Sequence, residues 1–194
     1  MGGICFNDWL IQNGYLTLKQ RASRPTPIAD APIDWGRTMA WGDGGYYGRL
    51  FLNVAGREPQ GVIEPTQYES VRDELVTKLE AMQGPNGELL GTKVLKPQDV
   101  YSEVRGVAPD LLVYFGDLAW RSVGTVGNPS IYTHENDIGP DGANHDRTGV
   151  FAMKGVPGQP TGRVEGLDLV DVGPTIVSLF GLEPLGGEIS RSFL

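Results

Sequence analysis

The sequence predicts an α/β protein. Residues 67–82 carry an amphipathic helical pattern, residues 111–115 form a continuous apolar run of strand length, and a second helix with clear boundary residues closes the chain near 174–180. Helices mixed with short buried strands and separated by long Gly/Pro-rich loops define that class.

Taken in order, residues 6–13 place Phe6, Trp9 and Leu10 on one helical face. Gly14 stands where a left-handed C-cap belongs, and Tyr15-Leu16-Thr17-Leu18 then alternates like a short strand. Pro25, Pro27 and Pro32 make 21–33 an exposed loop, the core of a loop-rich insertion expected over 20–47. A strand is expected over 49–54, entered through the turn Gly42-Asp43-Gly44-Gly45. In the helix over 67–82, Thr66 and Glu69 suit a capping box, while Tyr68, Val71, Leu75, Leu79 and Met82 recur at helical spacing before Gly84-Pro85.

A short helical turn is expected after Pro97. The run Leu111-Leu112-Val113-Tyr114-Phe115, bounded by Pro109-Asp110 and Gly116-Asp117, reads as a strand buried on both faces. Val150-Phe151-Ala152-Met153 reads as another. For the last helix Asp171 is the expected N-cap, Pro174 falls in the first turn and Gly181 is the stop. The whole, residues 1–194, reads as a single domain.

Hydrophobic residues at 40% and charged residues at 21% give a globular rather than a disordered composition, and 28 Gly with 14 Pro predict many turns. The net charge of −8, with Lys19, Arg21 and Arg24 scattered, disfavours a nucleic-acid polymer as partner. No apolar run is long enough for a membrane span, and residues 1–6 lack the pattern of a secretory signal. The lone Cys5 cannot form an internal disulfide or a Cys-based zinc site. A reducing, cytoplasmic setting is the expectation.

Several standard motifs fail on inspection. Gly42-Asp43-Gly44-Gly45-Tyr46-Tyr47 has Tyr47 where a dinucleotide fingerprint needs glycine. Asp137-Ile138-Gly139-Pro140-Asp141-Gly142 opens like a calcium loop but lacks the third-position oxygen, and Thr148 stands in place of the bidentate Glu. No serine is framed as a hydrolase elbow. What remains is the segment 131–147, which gathers both histidines (His134 and His145) with Glu135, Asn136, Asp137, Asp141 and Asn144. Imidazoles and carboxylates on one loop have the composition of a divalent-metal site. They have equally that of a solvated acidic loop whose side chains cap turns.

Five blocks resemble one family. Phe6-Asn7-Asp8-Trp9-Leu10 through Gly14-Tyr15-Leu16 resembles the segment after the Asp-His-Gly metal motif in type I phosphodiesterase/nucleotide pyrophosphatase proteins of the alkaline-phosphatase superfamily. Thr38-Met39-Ala40-Trp41 with Gly48-Arg49-Leu50-Phe51-Leu52-Asn53 is similar to their next block, a turn into a strand ending in Asn. Pro109-Asp110-Leu111-Leu112-Val113 resembles their buried strand, and Asn144-His145-Asp146 before Gly149-Val150-Phe151 their last metal-ligand histidine with the strand after it. Asp171-Val172-Gly173-Pro174-Thr175-Ile176 with Leu179-Phe180-Gly181-Leu182 is similar to their closing helix.

The resemblance implies a partial alkaline-phosphatase-like sheet and a metal-dependent hydrolysis of phosphate esters or nucleotides. In that family two divalent metals, zinc or manganese, serve a Thr or Ser nucleophile that forms a covalent intermediate. The nucleophile and most ligands have no counterpart here. The chain is therefore expected to be the C-terminal portion of a larger metallohydrolase, to bind no metal and to be inactive alone. Only His145 carries over as a metal ligand. His134, Glu135 and Asp137 are weaker candidates, lining the substrate side or capping turns. Arg121, beside Trp120, is read either as a phosphate partner or as packed on that ring. A phosphomutase or sulfatase of the same superfamily is the alternative enzyme, and a binding or scaffold module that lost its active site is the non-enzymatic one.

Overall fold

The computed structural model describes residues 2–135, 143–156 and 161–183. It is a mixed α/β protein, with several sheets and four α-helices among the described residues. The chain divides into two compact units, 1–145 and 146–194.

In the first unit, β1 (Gly2–Cys5) runs directly into α1 (Phe6–Gln12); β2 (Thr26–Pro27), β3 (Ala40–Asp43) and β4 (Gly48–Leu52) follow. Next come α2 (Tyr68–Glu80), β5 (Lys93–Leu95), α3 (Pro97–Val100) and β6 (Leu111–Tyr114). The unit ends with β7 (Trp120–Val123), β8 (Thr125–Val126) and β9 (Tyr132–Thr133). β3-β4-β6-β5 make a four-stranded antiparallel sheet, with Leu50 opposite Leu111 and Val94 opposite Val113. β1 lies between β7, its parallel neighbour, and β9, its antiparallel one.

The elements with strong patterns form where expected. α1 is followed, after its C-cap Asn13, by Gly14, whose φ of 79° provides the left-handed turn out of the helix. α2 buries Val71, Leu75 and Leu79, and Met82 just past its end is buried too. β6 is flanked on both sides by strands and buries Leu111, Leu112 and Val113.

Several local expectations are corrected. Thr66 does not cap α2: residues Pro65–Gln67 form a 3-10 turn, so the position lacks the extended backbone a capping box needs. Glu69 instead pairs with Arg72 at 2.9 Å and Lys96 at 3.0 Å. Residues 15–18 make a single bridge, Leu18 to Ile33, rather than a strand. Residues 40–43, inside the supposed insertion, are the sheet strand β3, so irregular structure dominates only up to 39. In the second unit, 150–153 form no strand and Val150 is 99% exposed.

The second unit's helix α4 (Leu169–Leu179) starts five residues before Pro174, because Asp168 is the N-cap. The Asp168 side chain accepts from the Asp171 backbone, and the Asp171 side chain accepts from the Asp168 N–H at 3.1 Å. This reciprocal pair replaces the expected cap at Asp171. Gly181 follows with a φ of 69°.

The core of the first unit is built around Phe6, which meets the Phe115 ring edge-on at 5.1 Å. Gly42 belongs to β3 and not to a turn, and its lack of a side chain is explained by that ring. A Cβ there would lie 2.4 Å from Phe6 Cδ1. Gly42→Ala is therefore expected to cost about 1–3 kcal/mol through overpacking. A thermal unfolding midpoint within a degree of wild type would refute this packing account.

Candidate functional site

The sequence candidates separate on the fold. Arg121 lies on β7, buried, and its guanidinium donates to the backbone carbonyl of Glu135. It thereby ties the 133–135 segment to the sheet. Glu135 is exposed, and its backbone N–H donates to Thr133 Oγ1 at 3.1 Å. His134 is exposed with its ring tilted against Trp120 at 5.8 Å. Asp137, like Asn136 and Asp141, lies outside the described residues.

His145 stacks on Tyr46, in the β3–β4 turn, with ring centroids 3.7 Å apart. It is exposed, and neither ring nitrogen hydrogen-bonds a described residue. Its backbone neighbour is fixed: Asn144 Nδ2 donates to the Leu118 carbonyl at 2.7 Å. That carbonyl belongs to an unusual turn in which Gly116, Asp117 and Leu118 all have positive φ, at 57°, 51° and 77°. Two consecutive non-glycine residues in this region are strained, and Asp117 is also held by Lys93 at 2.6 Å. A tight turn after β6 thus anchors the segment that presents the imidazole. The expected place for His145, at the start of a strand over 150–153, is corrected: it sits instead against the β3–β4 turn.

A metal site needs several converging donors. Among the described residues no three His, Cys, Asp or Glu side chains converge. His145 offers one imidazole with accessible lone pairs, so these residues do not on their own fit a two-metal centre.

Other residues of the resembled blocks do different work. Asn7 is buried on α1, and its side chain accepts from Gly42 N at 2.7 Å while donating to Gly42 O and Gly124 O, both at 2.8 Å. Asp8 next to it accepts from Gly127 N at 2.8 Å and from Asn128 Nδ2 at 2.7 Å. Asn53 Nδ2 faces three carbonyls, of Trp35, Thr38 and Gln60, at 2.8–2.9 Å. Asp110 accepts from Leu52 N at 2.6 Å, from both terminal nitrogens of Arg57 at 2.7 Å and from the Tyr68 hydroxyl at 2.6 Å.

Each of these four buried side chains satisfies backbone groups that would otherwise be unpaired, which makes them fasteners of loops to the sheet. Reading residue types alone misses that role; the one available signal is a polar residue adjoining an apolar strand or helix face, as Asp110 does before Leu111. Comparison of the chain with protein families, with curated proteins and with solved structures finds no match.

Proposed function

We propose that this chain is the C-terminal portion of a metal-dependent phosphodiesterase or nucleotide pyrophosphatase, with His145 as its contribution to the metal centre. The observation that carries this reading is the presentation of His145. An exposed imidazole, with no hydrogen-bond partner among the described residues, stacks on Tyr46 and directly follows the anchored Asn144. A histidine kept only for packing would be covered and satisfied inside the protein. The order of the resembled blocks supports the same reading.

Under this proposal the remaining ligands and the hydroxyl nucleophile come from outside residues 1–194. The test compares this chain with the gene's longer product on an aryl phosphodiester. The longer product is expected to hydrolyse it with added divalent metal, and His145→Ala to lower turnover about 100-fold or more, as loss of a ligand should. Residues 1–194 alone are expected to be inactive. Hydrolysis by the short chain, abolished by His145→Ala, would sink the fragment reading; a longer product indifferent to His145→Ala would sink the ligand assignment.

One set of observations favours the second reading, a binding or scaffold module. Asn7, Asp8, Asn53 and Asp110 are all engaged within the fold, so these parts of the resembled blocks can persist for architecture alone. An inactive longer product that still folds would decide for it.

A further inference from the structure

A pocket of about 260 Å³ opens beside β3, lined by Trp35, Trp41, Asn53, Glu58, Pro59 and Gln60. It uses none of the residues around His145. The two indoles meet at 84° with centroids 5.2 Å apart, and Trp41 is braced by the Phe51 ring stacked at 5.5 Å. Two aromatic walls therefore form a corner.

The polar floor of the corner is Asn53, only 2% exposed. Its amide orientation is fixed by chemistry, because Nδ2 sits among the three carbonyls of Trp35, Thr38 and Gln60. A carboxamide oxygen in that place would meet only acceptors. Oδ1 is thereby turned away from them and takes no hydrogen bond from a described residue, while Asn53 itself lines the pocket. A nearly buried acceptor without a partner is costly unless something donates to it.

We propose that this pocket binds the pyranose ring of a neutral sugar, with ring C–H groups on an indole face and a hydroxyl donating to Asn53 Oδ1. The lining favours that class over three others. Among the described residues no cation lines the pocket, and Arg57 beside it is spent on Glu58 and Asp110, so an anion finds no counter-charge there. The Glu58 carboxylate, the obvious attraction for an organic cation, is already met by Arg57 Nε at 2.7 Å. A flat heterocycle gains most between parallel rings, whereas these rings are perpendicular. A puckered ring with thickness and outward hydroxyls can touch both walls while Glu58 and Gln60 receive further hydroxyls.

The test is a titration of the protein with methyl glucopyranoside, methyl galactopyranoside and methyl mannopyranoside, read by tryptophan fluorescence and by saturation-transfer NMR. Saturable binding of at least one, in the millimolar range suited to a ligand of that size, is the expected result. Trp35→Ala should weaken it roughly tenfold or more through the lost stacking wall. Gln60→Ala and Glu58→Gln, at the rim, should each weaken it severalfold, and they keep the test open if Trp35→Ala fails to fold. Absence of saturation with all three glycosides would overturn the proposal. So would binding unchanged in every variant, or saturation by adenosine or choline with none by a pyranoside.

Discussion

Replacing Asp110 by alanine is expected to lower the unfolding free energy by about 3–5 kcal/mol. The carboxylate is 4% exposed and stands at the mouth of β6, where three separate segments converge on it. Its loss strands the Leu52 N–H inside the sheet, a cost of about 1–3 kcal/mol by itself, and removes the partner of the Tyr68 hydroxyl. Arg57 suffers less, since its side chain is 44% exposed and can turn to water. Arg57→Ala leaves the carboxylate its bonds from the Leu52 N–H and the Tyr68 hydroxyl but without a counter-charge, so it should cost less, about 1–3 kcal/mol, which separates the buried amide from the ion pair as the source of the effect. Urea unfolding with an unchanged slope would measure both. Near-equal losses in the two variants would mean that the ion pair dominates, contrary to the geometry. Asp110→Asn serves if the alanine variant does not fold.

The same cluster makes an alkaline prediction. Burial pushes the Tyr68 phenol up to about 12, helped by the hydrogen bond to Asp110 and by that group's charge. Since the folded value lies above the ordinary 10.0, stability held by the protonated phenol is complete below about pH 10 and is lost as the pH rises toward about 12. Tyrosinate absorbance in Asp110→Asn should show this phenol ionising earlier than in wild type.

How far the sequence reveals the fold depends on what each residue must satisfy. The pattern of Val71, Leu75 and Leu79 is legible because one face of α2 is buried and the other is not. Leu111 to Val113 is legible because a central strand is apolar on both faces. β1 and β7 are invisible for a shared reason. Gly2 is pressed against the Trp120 ring, where a Cβ would lie 2.2 Å from a ring carbon, and β7 buries Arg121 and Ser122, so neither strand shows an apolar alternation. The run 150–153 has strand composition but joins no ladder among the described residues; composition cannot reveal that a partner strand is lacking.

The candidate site divides in the same way. His145 is conspicuous as an imidazole on a Gly-rich loop, and it is exposed. Its support by Tyr46 and by the strained turn 116–118 depends on tertiary neighbours far apart in sequence, and nothing local announces it. Resemblance marked Asn7, Asp8, Asn53 and Asp110 as parts of family blocks without saying why those residue types are needed. The structure supplies a reason, the satisfaction of backbone groups in the segments these side chains fasten.

Asn7→Asp should be the most damaging isosteric change in the first unit, costing about 3–5 kcal/mol at neutral pH. Shape is preserved, so the loss isolates hydrogen-bond polarity. The wild-type amide accepts from Gly42 N through one atom and donates to Gly42 O and Gly124 O through the other, and so joins α1 to β3 and to the chain after β7. An ionised carboxylate keeps the first bond but turns both donations into contacts between two acceptors at about 2.8 Å, with no water to intervene. Burial and the two carbonyls would raise the introduced carboxyl's pKa well above the ordinary carboxylate value of about 3.9. The sign of the pH dependence follows. Stability of the variant is best below about pH 4, where the protonated group can donate to one carbonyl, and it falls as the pH rises through the elevated folded value. Wild type has no such trend from this position. Unfolding free energies at pH 4 and pH 7 for both proteins would check this, with the gap between them wider at pH 7. A gap that is the same at both pH values would mean that the Asn7 amide is not the fastener the geometry describes.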